Sequence, residues 1–215
     1  MDASQRADKN GGIAIRLNGS TGDGPPEVVR CWIDHDGEDA IHASAQDSDH
    51  PLQLTDSAII NTCGGIHYRS QHGDGLQMHI NIGAVHMQRV VLRHKLQLPT
   101  VIDDDSGRAD AVGATIGSFA SDPAIPSGAL FQDLVIYTDK QAINTQGARA
   151  TFDRIVTILE PSIHGTERVF AMQNPDNVFS NSVLAIVDAS LNANFWYEPA
   201  GAITKTNVTE HRGLI

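Results

Sequence analysis

Side chains able to do chemistry are concentrated in a few stretches of this chain. Of its ten histidines, His67, His72, His79, His86 and His94 fall in one stretch that a hairpin could bring together. Zinc or iron needs three or four such ligands converging on one point. A cupin-like metal-dependent enzyme would supply a framework for that, through a His-x-His followed closely by Glu. His79-Ile80-Asn81 is the nearest approach, and it lacks the second histidine. On a continuous strand, His79 has the parity of the polar positions while His86 and His94 share that of the apolar ones, so the three diverge. The sequence therefore predicts scattered histidines and no metal centre.

Two acidic runs, Asp34-His35-Asp36-Gly37-Glu38-Asp39 and Asp103-Asp104-Asp105, offer the carboxylates a structural calcium ion takes. Neither has the terminal Glu of a helix-loop-helix calcium site, and Asp-Gly is also a common tight turn. Cys63 stands four residues before His67 in a glycine turn, a spacing that does not by itself bring thiolate and imidazole together. Gly-x-Ser-x-Gly is absent, as are Gly-rich phosphate loops ending in Lys-Ser or Lys-Thr, so neither a serine nucleophile nor a nucleotide cofactor is predicted. No catalytic residue and no cofactor-binding residue is assigned.

Aromatic residues are few. The dense patch is Phe195-Trp196-Tyr197, which could serve as a sugar platform but reads better as a core or interface strand. It is the candidate interface.

Composition narrows the partners. A net charge of −11, from 26 acidic against 15 basic residues, leaves no concentrated basic surface for a nucleic-acid backbone. Direct nucleic-acid binding is not expected. No window approaches the length of a membrane-spanning apolar helix, and Met1-Asp2-Ala3-Ser4-Gln5-Arg6 does not have the charged-then-apolar pattern of a secretory signal. Cys31 and Cys63 lack metal-ligand spacing and read as free thiols, although one bridge between them stays open.

The elements that must carry these residues are strands. Apolar residues recur with period two, rich in Val and Ile and broken by Gly, Pro, Asn and Asp. The clearest case is 77–98, where Met78, Ile80, Ile82, Ala84, Val90, Leu92, Leu96 and Leu98 share one parity, with an interruption at His86 and Gln88 that predicts two strands or one bent strand. Further strands are predicted at 13–17, 28–33, 58–62, 130–137, 151–159, 168–172, 183–187 and 194–197. One wet and one dry face is the habit of antiparallel sheets. The predicted fold is therefore all-β and mainly antiparallel, a β-sandwich or jelly-roll-like barrel with long loops and flexible termini. Its parts are an N-terminal arm at 1–11, one domain at 12–200 and a C-terminal arm at 201–215.

A β-rich chain without catalytic signature, with polar loops and arm-like ends, predicts a non-enzymatic structural protein that self-associates into a homo-oligomer with other structural proteins. The expected setting is a virus or bacteriophage particle, as capsid, decoration or tail protein, made in the host cytoplasm. The alternatives are a ligand-binding β-sandwich for sugar or calcium, and the cupin-like enzyme.

Overall fold

The computed structural model describes residues 13–18, 24–35, 39–44, 51–61, 74–78, 85–94, 114–118, 129–139, 141–145, 150–160, 168–172, 176–197 and 203–213. Sixteen strands lie among them. In chain order these are β1 (Ile15–Asn18), β2 (Glu27–Val29), β3 (Trp32–His35), β4 (Ile41–Ser44), β5 (Leu52–Thr55), β6 (Ala58–Asn61), β7 (Leu76–Met78) and β8 (Val85–His94). There follow β9 (Ala114–Ser118), β10 (Ala129–Thr138), β11 (Gln141–Thr145), β12 (Ala150–Leu159), β13 (Arg168–Met172), β14 (Val178–Ile186), β15 (Asn194–Tyr197) and β16 (Thr204–Arg212).

Among the described residues all the strand pairings are parallel. The first sheet has the order β1-β4-β7-β9-β11-β13-β15 and the second β2-β5-β8-β10-β12-β14-β16, with β3 and β6 extending its first rungs. The chain thus alternates between the sheets, adding one rung to each per coil, and forms a two-sheeted parallel β-solenoid of seven coils. This overturns the antiparallel sandwich or jelly roll expected from sequence. Period-two alternation reports one dry and one wet face, and says nothing about strand direction. Parallel sheets usually lose their wet face to covering helices. Here each sheet covers only the inner face of the other.

The second sheet is bent. Arg30, Asp56, Arg89, Asp133, Arg154, Asn181 and Asn207 all have φ between 50 and 56°, one such residue per coil. Each bend resets the inside-outside alternation. In β8 the buried positions are Val85 and Met87 before Arg89, and Val90, Leu92 and His94 after it. The stretch 77–98, expected as two strands or one bent strand, holds β7 and β8 in different sheets, and β8 is itself bent at Arg89.

Inside, side chains stack rung on rung. One column runs Val28, Leu54, Met87, Phe131, Phe152, Phe179. Its three rings lie nearly parallel, with centroids 4.9 Å apart for Phe131–Phe152 and 4.4 Å for Phe152–Phe179. Facing it, the first sheet contributes Ile41, Leu76, Ile116, Ile143 and Phe170, all fully buried. Just before β7, Gly75 is required, since a Cβ there would stand 2.7 Å from the carbonyl oxygen of Thr115 on the neighbouring rung.

The stretch 1–11, read as the N-terminal arm, lies outside the described residues. The stretch 201–215 contains β16, which pairs with β14 from Thr204 to Arg212. No helix among the described residues is long and apolar enough to cross a membrane.

Candidate functional site

Three surface features follow from this architecture, and the bends make the first. A non-glycine residue in the left-handed region costs on the order of 1 kcal/mol, which Asn and Asp tolerate best. Three of these positions are arginines, and the reason lies across the rungs. Arg89 donates from Nε and Nη2 to Asp56 Oδ1 and Oδ2 at 2.5 and 2.9 Å. Arg154 does the same to Asp133 at 2.6 and 2.9 Å, and its third nitrogen reaches Asp153. Reading along the axis gives Arg30, Asp56, Arg89, Asp133, Arg154, Asn181 and Asn207, a ladder of alternating charge ending in amides. Asn207 donates to Asn181 Oδ1 at 2.9 Å, and Asn181 donates to Asp153 Oδ1 at the same distance. Guanidinium contacts hold the Asp56 and Asp133 carboxyls below the usual carboxylate range, and hydrogen bonds from Ser180 and Asn181 do so for Asp153. Just inside two bends, Ser57 and Ser182 accept from the amides of Cys31 and Ile155 at 3.0 Å and donate to the carbonyls of Thr55 and Ser180.

Two residues beyond each bend, side chains point outward again and form the second feature. This column reads Trp32, Ala58, Val91, Val135, Val156, Val183 and Thr209. Trp32 is 71% exposed, and Val91, Val156 and Val183 are 44, 38 and 39% exposed. In the next outward column Ile60, Tyr137 and Ile158 are apolar, with the exposed Arg93 standing between Ile60 and Tyr137. A continuous apolar column on an exposed sheet face is uncommon on a monomer and marks a contact surface.

The third feature lies at the edge of the solenoid formed by β15 and β16. Here the inward columns end in charged residues: Lys205 follows Phe179, Glu210 follows Leu184, and Arg212 follows Ile186. These side chains fold over the aromatic end of the core. Lys205 Nζ lies 4.2 Å from the Trp196 ring centroid, Trp196 Nε1 donates to Glu210, and the Arg212 guanidinium covers the Phe195 ring and donates to the Ala193 carbonyl. Asn194, Phe195, Trp196, Glu210 and Arg212 line an open cleft of about 550 Å³.

The candidate interface Phe195-Trp196-Tyr197 is therefore part of this edge. Phe195 is buried, Trp196 is half-buried against Phe170 and Phe179, and Tyr197 is 41% exposed. The Trp196 ring is stacked on Phe170 and has Lys205 Nζ 4.2 Å from its centroid.

Of the clustered histidines, His67, His72 and His79 lie outside the described residues. His86 faces outward, 3.3 Å from Gln53, whereas His94 is buried 3.5 Å from the Thr115 hydroxyl. The Arg89 bend separates them, so they do not share the parity a straight strand would give. Asp39 is buried, with one oxygen accepting from the Asp74 amide and the other 3.1 Å from His42 Nδ1, which is a turn brace. Residues 36–38, Asp103 to Asp105, Cys63 and the Cys63–His67 pair lie outside the described residues, and Cys31 is a free, exposed thiol. Among the described residues no three His, Cys, Asp or Glu side chains are placed to hold one metal ion.

Neither the bend ladder nor the valine stripe was singled out from sequence, yet both carry a signal. Met87-Gln88-Arg89-Val90-Val91-Leu92, Phe131-Gln132-Asp133-Leu134-Val135-Ile136 and Phe152-Asp153-Arg154-Ile155-Val156-Thr157 share one pattern, with valine at its fifth place.

No protein-family model, no curated protein and no solved structure matches this chain.

Proposed function

We propose that this protein is a non-enzymatic assembly element, a stiff β-solenoid that self-associates side by side through the outer face of its second sheet. The carrying observation is the exposed column Trp32, Val91, Val156 and Val183, flanked by a ladder of alternating charge. Burying such a stripe removes apolar area from water, and a tryptophan at its end is the residue type that most often anchors an interface. Stacked parallel rungs give the rigidity that a scaffold needs.

The stripe spans seven rungs spaced ~4.8 Å apart and about four residues of strand, which amounts to roughly 400 Å² per copy. That is about half of what a standard stable interface buries on each partner, so association in the micromolar range is expected. Sedimentation velocity over a concentration series tests this. The protein should pass from monomer to oligomer, and Val156→Lys, outward-facing and leaving the circular dichroism spectrum unchanged, should hold it monomeric. A wild-type protein that stays monomeric at every concentration overturns the reading.

A further inference from the structure

Resting on that reading, we infer that the partner is a second copy whose solenoid axis runs antiparallel to the first, about a two-fold axis parallel to the strands and lying between the rungs of β8 and β10. Two-fold packing of a face on itself is the commonest way for a chain to close an interface. An axis parallel to the strands lays each outward column on its own counterpart with the rung order reversed, so ladder meets ladder and stripe meets stripe.

The charges then select where the axis falls. Placed on the Asp133 rung, it sets Asp133 against its own copy and Arg89 against Arg154. Placed on the Arg89 rung, it sets Arg89 against its own copy and Asp56 against Asp133. Both are repulsive. Placed between these rungs, it sets Arg89 against Asp133, Asp56 against Arg154 and Arg30 against Asn181, with opposite charges facing in the first two pairs and six rungs in overlap. A shift by one rung toward the β16 edge keeps six rungs in overlap but faces Arg89 and Asp56 with amides. A shift the other way leaves only four rungs in overlap. Facing sheets pack ~10 Å apart, within the combined reach of Arg and Asp side chains.

The same axis satisfies the apolar stripe. Val91 meets Val135, Ala58 meets Val156, and Trp32 meets Val183 of the second copy. The most exposed ring of the face thus lands on a valine that is itself 39% exposed.

The test is chemical cross-linking in a Cys31→Ser, Cys63→Ser background at concentrations where sedimentation shows association. Within one chain Ala58 and Val156 are three rungs apart, ~14 Å, so a bismaleimide shorter than that cannot bridge them in the same molecule. The double variant Ala58→Cys, Val156→Cys should give covalent dimer, and each single variant should stay monomeric on denaturing gels. Dimer from either single variant means that a rung meets its own copy, which the axis between β8 and β10 forbids, and overturns the geometry. Association without cross-linking of the double variant also overturns the geometry and leaves the self-association reading standing. Absence of association at every concentration overturns both.

Discussion

Arg89 grips Asp56 with two hydrogen bonds although 33 residues of chain separate them, because both occupy the same left-handed bend on neighbouring rungs. Arg154 grips Asp133 in the same way across 21 residues. The pairs are largely solvent-exposed, so each adds little free energy. Their value is in register: a slip by one rung would place like charges side by side.

Acid should weaken the fold. The carboxyls of Asp56, Asp133 and Asp153 titrate below the usual range in the folded protein. A group whose pKa is depressed by folding contributes stability that is complete above its unfolded value, about 3.9 for Asp, and is lost as pH falls through the folded one. The denaturation midpoint should be flat near neutrality and fall below about pH 4. Chemical denaturation at a series of pH values checks this, and a midpoint unchanged by acid contradicts the ladder.

At the bend itself, Arg89→Asn and Arg89→Ala remove the same ion pair but differ in backbone cost. Asn accepts the left-handed conformation that Ala resists. The alanine variant should unfold at a lower denaturant concentration than the asparagine variant. Equal midpoints would mean that the positive φ of 54° carries no strain.

How far the sequence reveals this fold is visible in β8. Its alternation announces a strand with one dry face, and the break at His86 and Gln88 announces the bend. Parallel pairing leaves no trace in alternation, because a strand shows the same face whichever way its neighbour runs. The coil repeat is hidden by its own loops. Successive rungs of the second sheet are 26, 33, 44, 21, 27 and 26 residues apart, so no fixed period emerges even though the bend pattern recurs. Phe195, Trp196 and Tyr197 stand out by composition alone. The outward valines do not, since a valine beside a buried leucine looks like core until the bend is placed.

Phe152 lies in the middle of the ring stack, between Phe131 and Phe179, and is fully buried. Phe152→Ala removes both ring contacts and leaves a cavity between rungs that cannot collapse without shortening the axis. A loss of about 3–5 kcal/mol is expected, and Phe152→Leu should recover much of it. Equilibrium denaturation of the two variants measures this. A loss below about 1 kcal/mol for the alanine would show that the stack is loosely packed.

The charged edge formed by Lys205, Glu210 and Arg212 bears on a different contact from the valine stripe. These residues occupy columns that are filled by Phe179, Leu184 and Ile186 one rung below, and they cover the aromatic end of the core. A parallel sheet edge with an apolar core end invites another sheet to continue it, and inward-column charges are one way of preventing that. The triple variant Lys205→Phe, Glu210→Leu, Arg212→Ile restores the apolar columns to the last rung. It should form end-to-end oligomers or fibres, seen by light scattering and negative-stain microscopy. The Val156→Lys substitution, which blocks the side face, should leave that growth intact. If the triple variant keeps the mass distribution of the parent protein, the three charges do not guard this edge.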